Sequence, residues 1–118
     1  MAWNSAVVLR YGTPVAGREK VAMGNFREAL ALLGRWAADG KCSEPLVLHH
    51  ISGGGMIVVL TDSAEASLAM LRDGQVRRHV DMAAFSSSDF SVEMMVTGET
   101  LMQEVETYTA VGEELGFM

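Results

Sequence analysis

The chain has 118 residues and a mass of 12.7 kDa, the size of one domain. Apolar residues make up 49% and charged residues 20%, so the chain can build a packed core, which excludes wholesale disorder. Nine Lys and Arg against fifteen Asp and Glu give a net charge of −6 and a pI near 4.9, which excludes the basic stripe of a duplex-binding surface, so no nucleic-acid partner is expected.

Cys42 is the single cysteine, which rules out an intramolecular disulfide and fits a reducing, cytoplasmic setting. The start, Met1 to Ser5, has neither the basic stretch nor the apolar run of a signal peptide, and no window approaches the length of a bilayer span. A cytoplasmic protein without a membrane partner is therefore expected. Charge is uneven along the chain: residues 79–118 hold eight acids and no Lys or Arg. Such a segment reads either as a solvated acidic helix or as a partner for the Arg-bearing part of the chain or of a second subunit.

In chain order, Ala6 to Tyr11 is a β-rich run that is apolar on both alternating faces, as a central strand buried on two sides would be. From about Gly17 to Asp39 the period turns helical. Ala22, Phe26, Ala29, Leu30, Leu33, Trp36 and Ala37 fall within an arc of about 120°, and Asp39-Gly40 supplies the stop. Leu46–Ile51 and Met56–Thr61, joined by Ser52-Gly53-Gly54-Gly55, read as an antiparallel hairpin. A second helix opens at Asp62 or Ser63, where Asp62 and Glu65 have the spacing of a capping box, with Ala64, Leu68 and Leu71 as its buried stripe. Asp73-Gly74 interrupts it, and Val76, Val80 and Ala83 indicate that helix resumes. Phe90 to Thr97 alternates, with Phe90, Val92, Met94 and Val96 toward a core and Ser91, Glu93, Met95 and Thr97 away from it. A last helix is predicted over 99–116, with Thr100 and Gln103 as a capping box and a narrow stripe of Leu101, Val105, Tyr108 and Leu115.

The order β-α-β-β-α-β plus a helix predicts an α+β, ferredoxin-like domain over residues 1–118, with its core in 5–97. A four-stranded antiparallel sheet of order 4-1-3-2 carries both helices on one face. Its other face is too apolar to stay in water, and a second copy packed sheet to sheet would cover it, giving a homodimer. The run Val8 to Tyr11, then Gly12, Gly17-Arg18-Glu19 and Phe26, with a helix ending at Asp39-Gly40, resembles small bacterial proteins of the dimeric α/β-barrel superfamily. The resemblance spans roughly 5–97 and rests on element order. It implies a dimeric barrel and a choice among cofactor-free quinol monooxygenases, muconolactone-isomerase-like enzymes, haem-degrading proteins and members without assigned activity.

Phosphate-loop readings fail. The triple glycine is followed by a strand where a phosphate cradle needs a helix N-terminus. Gly34 to Cys42 has the wrong spacing and lies at a helix C-terminus. No HxxxH or CxxC spacing offers a metal site, so neither metal nor cofactor is expected. His49 and His50 are candidate general bases, and because they are adjacent in a strand only one can face a given cavity. His79, beside Arg77 and Arg78, reads as solvated. Arg10 and Glu93 can meet on neighbouring antiparallel strands, either as an ion pair at a buried interface or as an oxyanion-stabilising Arg oriented by Glu93. Tyr11 and Met95 are candidate ligand contacts, Met95 as part of an adaptable lining with Met56, Met94 and Met102.

Two functions follow. One is a cofactor-independent monooxygenase or isomerase acting on a small, partly apolar or aromatic molecule in the barrel. The other is a non-catalytic ligand-binding or stress-related module. A cavity of about 300 Å³ or more with converging polar groups favours the first, and a closed core favours the second.

Overall fold

The structure is a computed structural model that describes residues 2–118, so only Met1 of the expected domain lies outside it. The elements run β1 (Ser5–Tyr11), α1 (Glu19–Ala38), β2 (Leu46–His49), β3 (Gly55–Thr61), α2 (Ala64–Arg72), α3 (Gly74–Ser86), β4 (Ser91–Val96) and α4 (Gly98–Glu114). One antiparallel sheet has the order β2-β3-β1-β4. This is the ferredoxin-like arrangement, with the second helix of the motif split into α2 and α3.

The doubly apolar β1 takes the inner position and pairs along its length with both β3 and β4. Strand alternation sends Val7, Leu9 and Tyr11 to one face, with Val47, Ile57, Val59 and Val92 beside them. That face meets Leu32 and Leu33 of α1, Met70 of α2 and Val76 of α3 in the core. The same alternation sends Ala6, Val8, Arg10, Leu46, Leu48, Met56, Val58, Leu60, Glu93 and Met95 to the other face, outside the core that α1, α2 and α3 build.

The split between α2 and α3 falls at Asp73, whose ψ of 135° leaves the helical region. Its carboxylate accepts from the Gln75 and Val76 amides at 3.0 and 3.1 Å and so starts α3 afresh.

Two capping boxes read from the sequence do not form. The cap of α2 is Ser63, whose hydroxyl accepts from the Ala66 amide at 3.1 Å, while Asp62 closes the preceding strand with its carbonyl held by Asn4. The buried stripe of α2 is also shifted. Ser67 and Met70 are buried, whereas Ala64 and Leu68 are exposed. Ser67 turns inward because its hydroxyl lies 2.8 Å from that of Ser5 and 2.6 Å from that of Thr61, in a buried polar cluster with every group satisfied. At the other end of the chain, α4 begins two residues before Thr100. Its first turn is capped from a distance, by Asn4 Oδ1 accepting from the Glu99 amide at 3.1 Å.

The stripe of α4 does not dock on its own domain. No residue of α4 is buried, and Tyr108 and Leu115 are 71% and 62% exposed.

Candidate ligand cavity between the sheet and two helices

A cavity of about 340 Å³ lies between the helix-bearing face of the sheet and the pair α1 and α3. Leu9 and Ile57 form its sheet wall, and Phe26, Leu33, Val76 and Val80 form its helix wall. Room arises because the facing helices present short side chains, Ala22 and Ala29 from α1 and Ala83 from α3. The loop Gly12–Pro14, the turn glycines Gly53 and Gly54, and Ser87 line the end beyond the strands.

Two polar groups interrupt this apolar lining. At the end of β1, the Tyr11 hydroxyl lies 3.2 Å from His49 Nδ1, and the two rings stack with centroids 5.9 Å apart. Phe26 meets the Tyr11 ring edge-on at 5.4 Å, so three aromatic rings form a row along the wall. Burial pushes the Tyr11 phenol above its ordinary value, which keeps the hydroxyl protonated. The Gly-rich turn makes this placement possible. Gly54 adopts φ +77°, and a Cβ there would lie 2.9 Å from the Tyr11 carbonyl oxygen. Gly55 pairs with His49, and a Cβ there would strike the Leu48 carbonyl.

The second group joins the helices. Asn25 of α1 donates through Nδ2 to the His79 carbonyl at 2.9 Å, and its Oδ1 lies 2.7 Å from His79 Nδ1. Asn25 is only 5% exposed, and both residues line the cavity. Sequence reasoning missed this pair and left His79 in solvent. Its signal was Asn25 itself, a polar residue set among Ala22, Phe26 and Ala29 on the buried arc of α1.

The structure separates the other candidates. His49 reaches the cavity, while β2 ends there and His50 sits exposed in the turn, its amide donating to the Gly54 carbonyl at 2.7 Å. Arg10 and Glu93 are joined through Nε and Oε1 on the open face of the sheet, with side chains 44% and 38% exposed. Met95 lies on that face as well. Tyr11 and His49 are thus brought together, but Arg10, Glu93 and Met95 do not join them. Cys42 is buried, and desolvation followed by the nearby Glu44 raises its thiol above the ordinary value, so it stays a protonated core residue. Among the described residues, no group of three His, Cys, Asp or Glu could hold a metal, and no helix is long and apolar enough to cross a membrane.

Comparison with known proteins adds the fold's company. No protein-family model and no curated protein sequence matches the chain. Among solved structures, it is similar to SnoaB, a cofactor-independent oxygenase from Streptomyces nogalater, at 12% identity and a TM-score of 0.62, over 82% of this chain and 95% of that one. A protein of unknown function from Nitrosomonas europaea matches at 15% identity and TM-score 0.61, over 81% and 90%. A dimeric protein of unknown function with a ferredoxin-like fold from Bacteroides fragilis matches at 9% and 0.57, over 80% and 96%. At these identities the likeness is one of fold.

Proposed function

We propose that this chain is a cofactor-independent monooxygenase-type protein that takes a small, planar, largely apolar molecule into the cavity between the sheet and α1 and α3, and that it works as a homodimer in the cytoplasm. The observation that carries this reading is the cavity itself. Its 340 Å³ exceed the volume that separates a ligand site from a packed core, and its apolar walls meet the Tyr11–His49 pair at one end. The fold shared with a cofactor-independent oxygenase supports the same reading.

The chemistry asks little of the protein. An acidic CH₂ flanked by carbonyl or aryl groups loses a proton to a base, and the resulting carbanion is oxidised by dioxygen. One oxygen atom ends in a new C=O and the other leaves as water with the two hydrogens, so the substrate supplies all four electrons. His49 serves as the base, as the imidazole that lines the cavity beside the Tyr11 hydroxyl. The protonated Tyr11 hydroxyl holds the developing oxyanion. Arg10 and Glu93 act on the opposite face, as a pair at the subunit interface. Leu46 and Leu48, 55% and 50% exposed on that face, are the residues a second copy would cover.

The test is oxygen uptake by the purified protein with anthrone, whose CH₂ is flanked by two aryl groups. Turnover should fall about 10²-fold or more in His49→Ala and be unchanged in His50→Ala. Ligand binding without any oxygen uptake would assign the non-catalytic binding module instead.

A further inference from the structure

We propose that His79 is the proton-accepting group of the cavity's helix wall, held in a single tautomer by Asn25, and that the cavity therefore prefers ligands that present a hydroxyl there. This rests on the reading of the cavity as a small-molecule site. Asn25 makes two hydrogen bonds to one residue, and together they leave no freedom of assignment. The His79 carbonyl can only accept, so the amide nitrogen of Asn25 must face it, as it does at 2.9 Å. The amide oxygen is then the atom 2.7 Å from Nδ1, and since that oxygen carries no hydrogen, Nδ1 must donate. A neutral imidazole has one N–H, so Nε2 is left with its lone pair.

That lone pair has nowhere to go within the protein. Among the described residues no hydrogen bond holds Nε2, and no buried side-chain nitrogen or oxygen is without a partner, so Nε2 keeps access to open space. His79 stands between the apolar cavity and a polar groove lined by Glu28, Arg35, Gln75 and Arg78. A ligand hydroxyl bound at Nε2 therefore has a charged groove beside it, whereas the helix wall around His79, formed by Ala22, Phe26, Val76, Val80 and Ala83, is hydrocarbon. The Tyr11–His49 contact differs, because its single hydrogen bond leaves the direction of donation open.

Two measurements on the full chain test this. Long-range ¹H–¹⁵N correlation of the ¹⁵N-labelled protein, with His79→Gln to assign the signal, should show neutral His79 as the Nδ1–H tautomer. Binding of 1-naphthol and of 1-methoxynaphthalene, which share a ring system and differ in the O–H, should favour 1-naphthol about tenfold, the ratio one ordinary hydrogen bond confers. His79→Leu should bind both alike. An Nε2–H signal, equal affinities in the unaltered protein, or a preference that survives in His79→Leu would overturn the inference and leave the cavity reading standing. If neither molecule binds, the cavity reading fails and the inference fails with it.

Discussion

The two faces of the sheet are built from alternate residues of the same four strands, yet they differ in nearly every physical respect. One face lies under three helices, with Val7 and Val59 at 1% and 0% exposure, and holds the cavity with both of its polar groups. The other keeps Ala6 and Val8 buried at its centre, at 6% and 4% exposure, but presents Leu46, Leu48 and Met95 to solvent around the Arg10–Glu93 pair. The difference teaches that hydrophobicity alone did not decide which face the helices cover. The helices α1 to α3 bring their own apolar stripes to the first face, while α4 brings one to neither, and the aliphatic surface left over is material for a second subunit.

Changes on the two faces should therefore act through different quantities. The largest effect on folding is expected in the covered face, where Met70→Ala leaves a cavity under the sheet and should cost about 2–5 kcal/mol in urea unfolding. Leu48→Asp on the open face should leave the fold intact but convert the assembly, in sedimentation, from about twice 12.7 kDa to 12.7 kDa. A wild-type chain that is monomeric at micromolar concentration would break the comparison. Deleting 99–118 sharpens it: with no buried residue in α4, monomer stability should hardly change, and any loss should appear in dimerisation. Asp73→Ala removes the cap that restarts α3 and should cost about 1 kcal/mol, seen as a lower melting temperature.

The smallest effect is alkaline. Tyr11 and Cys42 both have folded-state values raised by burial above their ordinary 10.0 and 9.0. Above those ordinary values the unfolded chain loses protons that the folded chain keeps. Stability is then full below about pH 9 and declines as pH rises through the raised values. A pH series of urea unfolding should show this decline, made shallower in a Tyr11→Phe, Cys42→Ala double variant.

Much of this architecture was legible in the sequence because its signals are local. The arc from Ala22 to Ala37, the alternation from Phe90 to Thr97 and the break at Asp73-Gly74 each arise within one element. What escaped depends on partners far along the chain. Ser67 rotates α2 toward hydroxyls of Ser5 and Thr61, and Asn4 caps a helix that starts at residue 98. The site divides the same way. Adjacency in a strand was the reason to expect His49 and His50 apart, but β2 ends at His49 and it is the turn that carries His50 away. Tyr11 joins His49 only through the pairing of β1, β3 and β2, and His79 enters the cavity wall only through Asn25, across a helix crossing that no spacing in the sequence reveals.

The most direct test of the division between the faces is an amide chemical-shift titration of the ¹⁵N-labelled chain with 1-naphthol. Shifts should be confined to residues around the cavity, such as Leu9, Phe26, Val80 and Ala83, with Ala6, Val8 and Leu48 unmoved. Shifts centred on Ala6, Val8 and Leu48, with the cavity residues silent, would place the ligand on the open face and contradict the account.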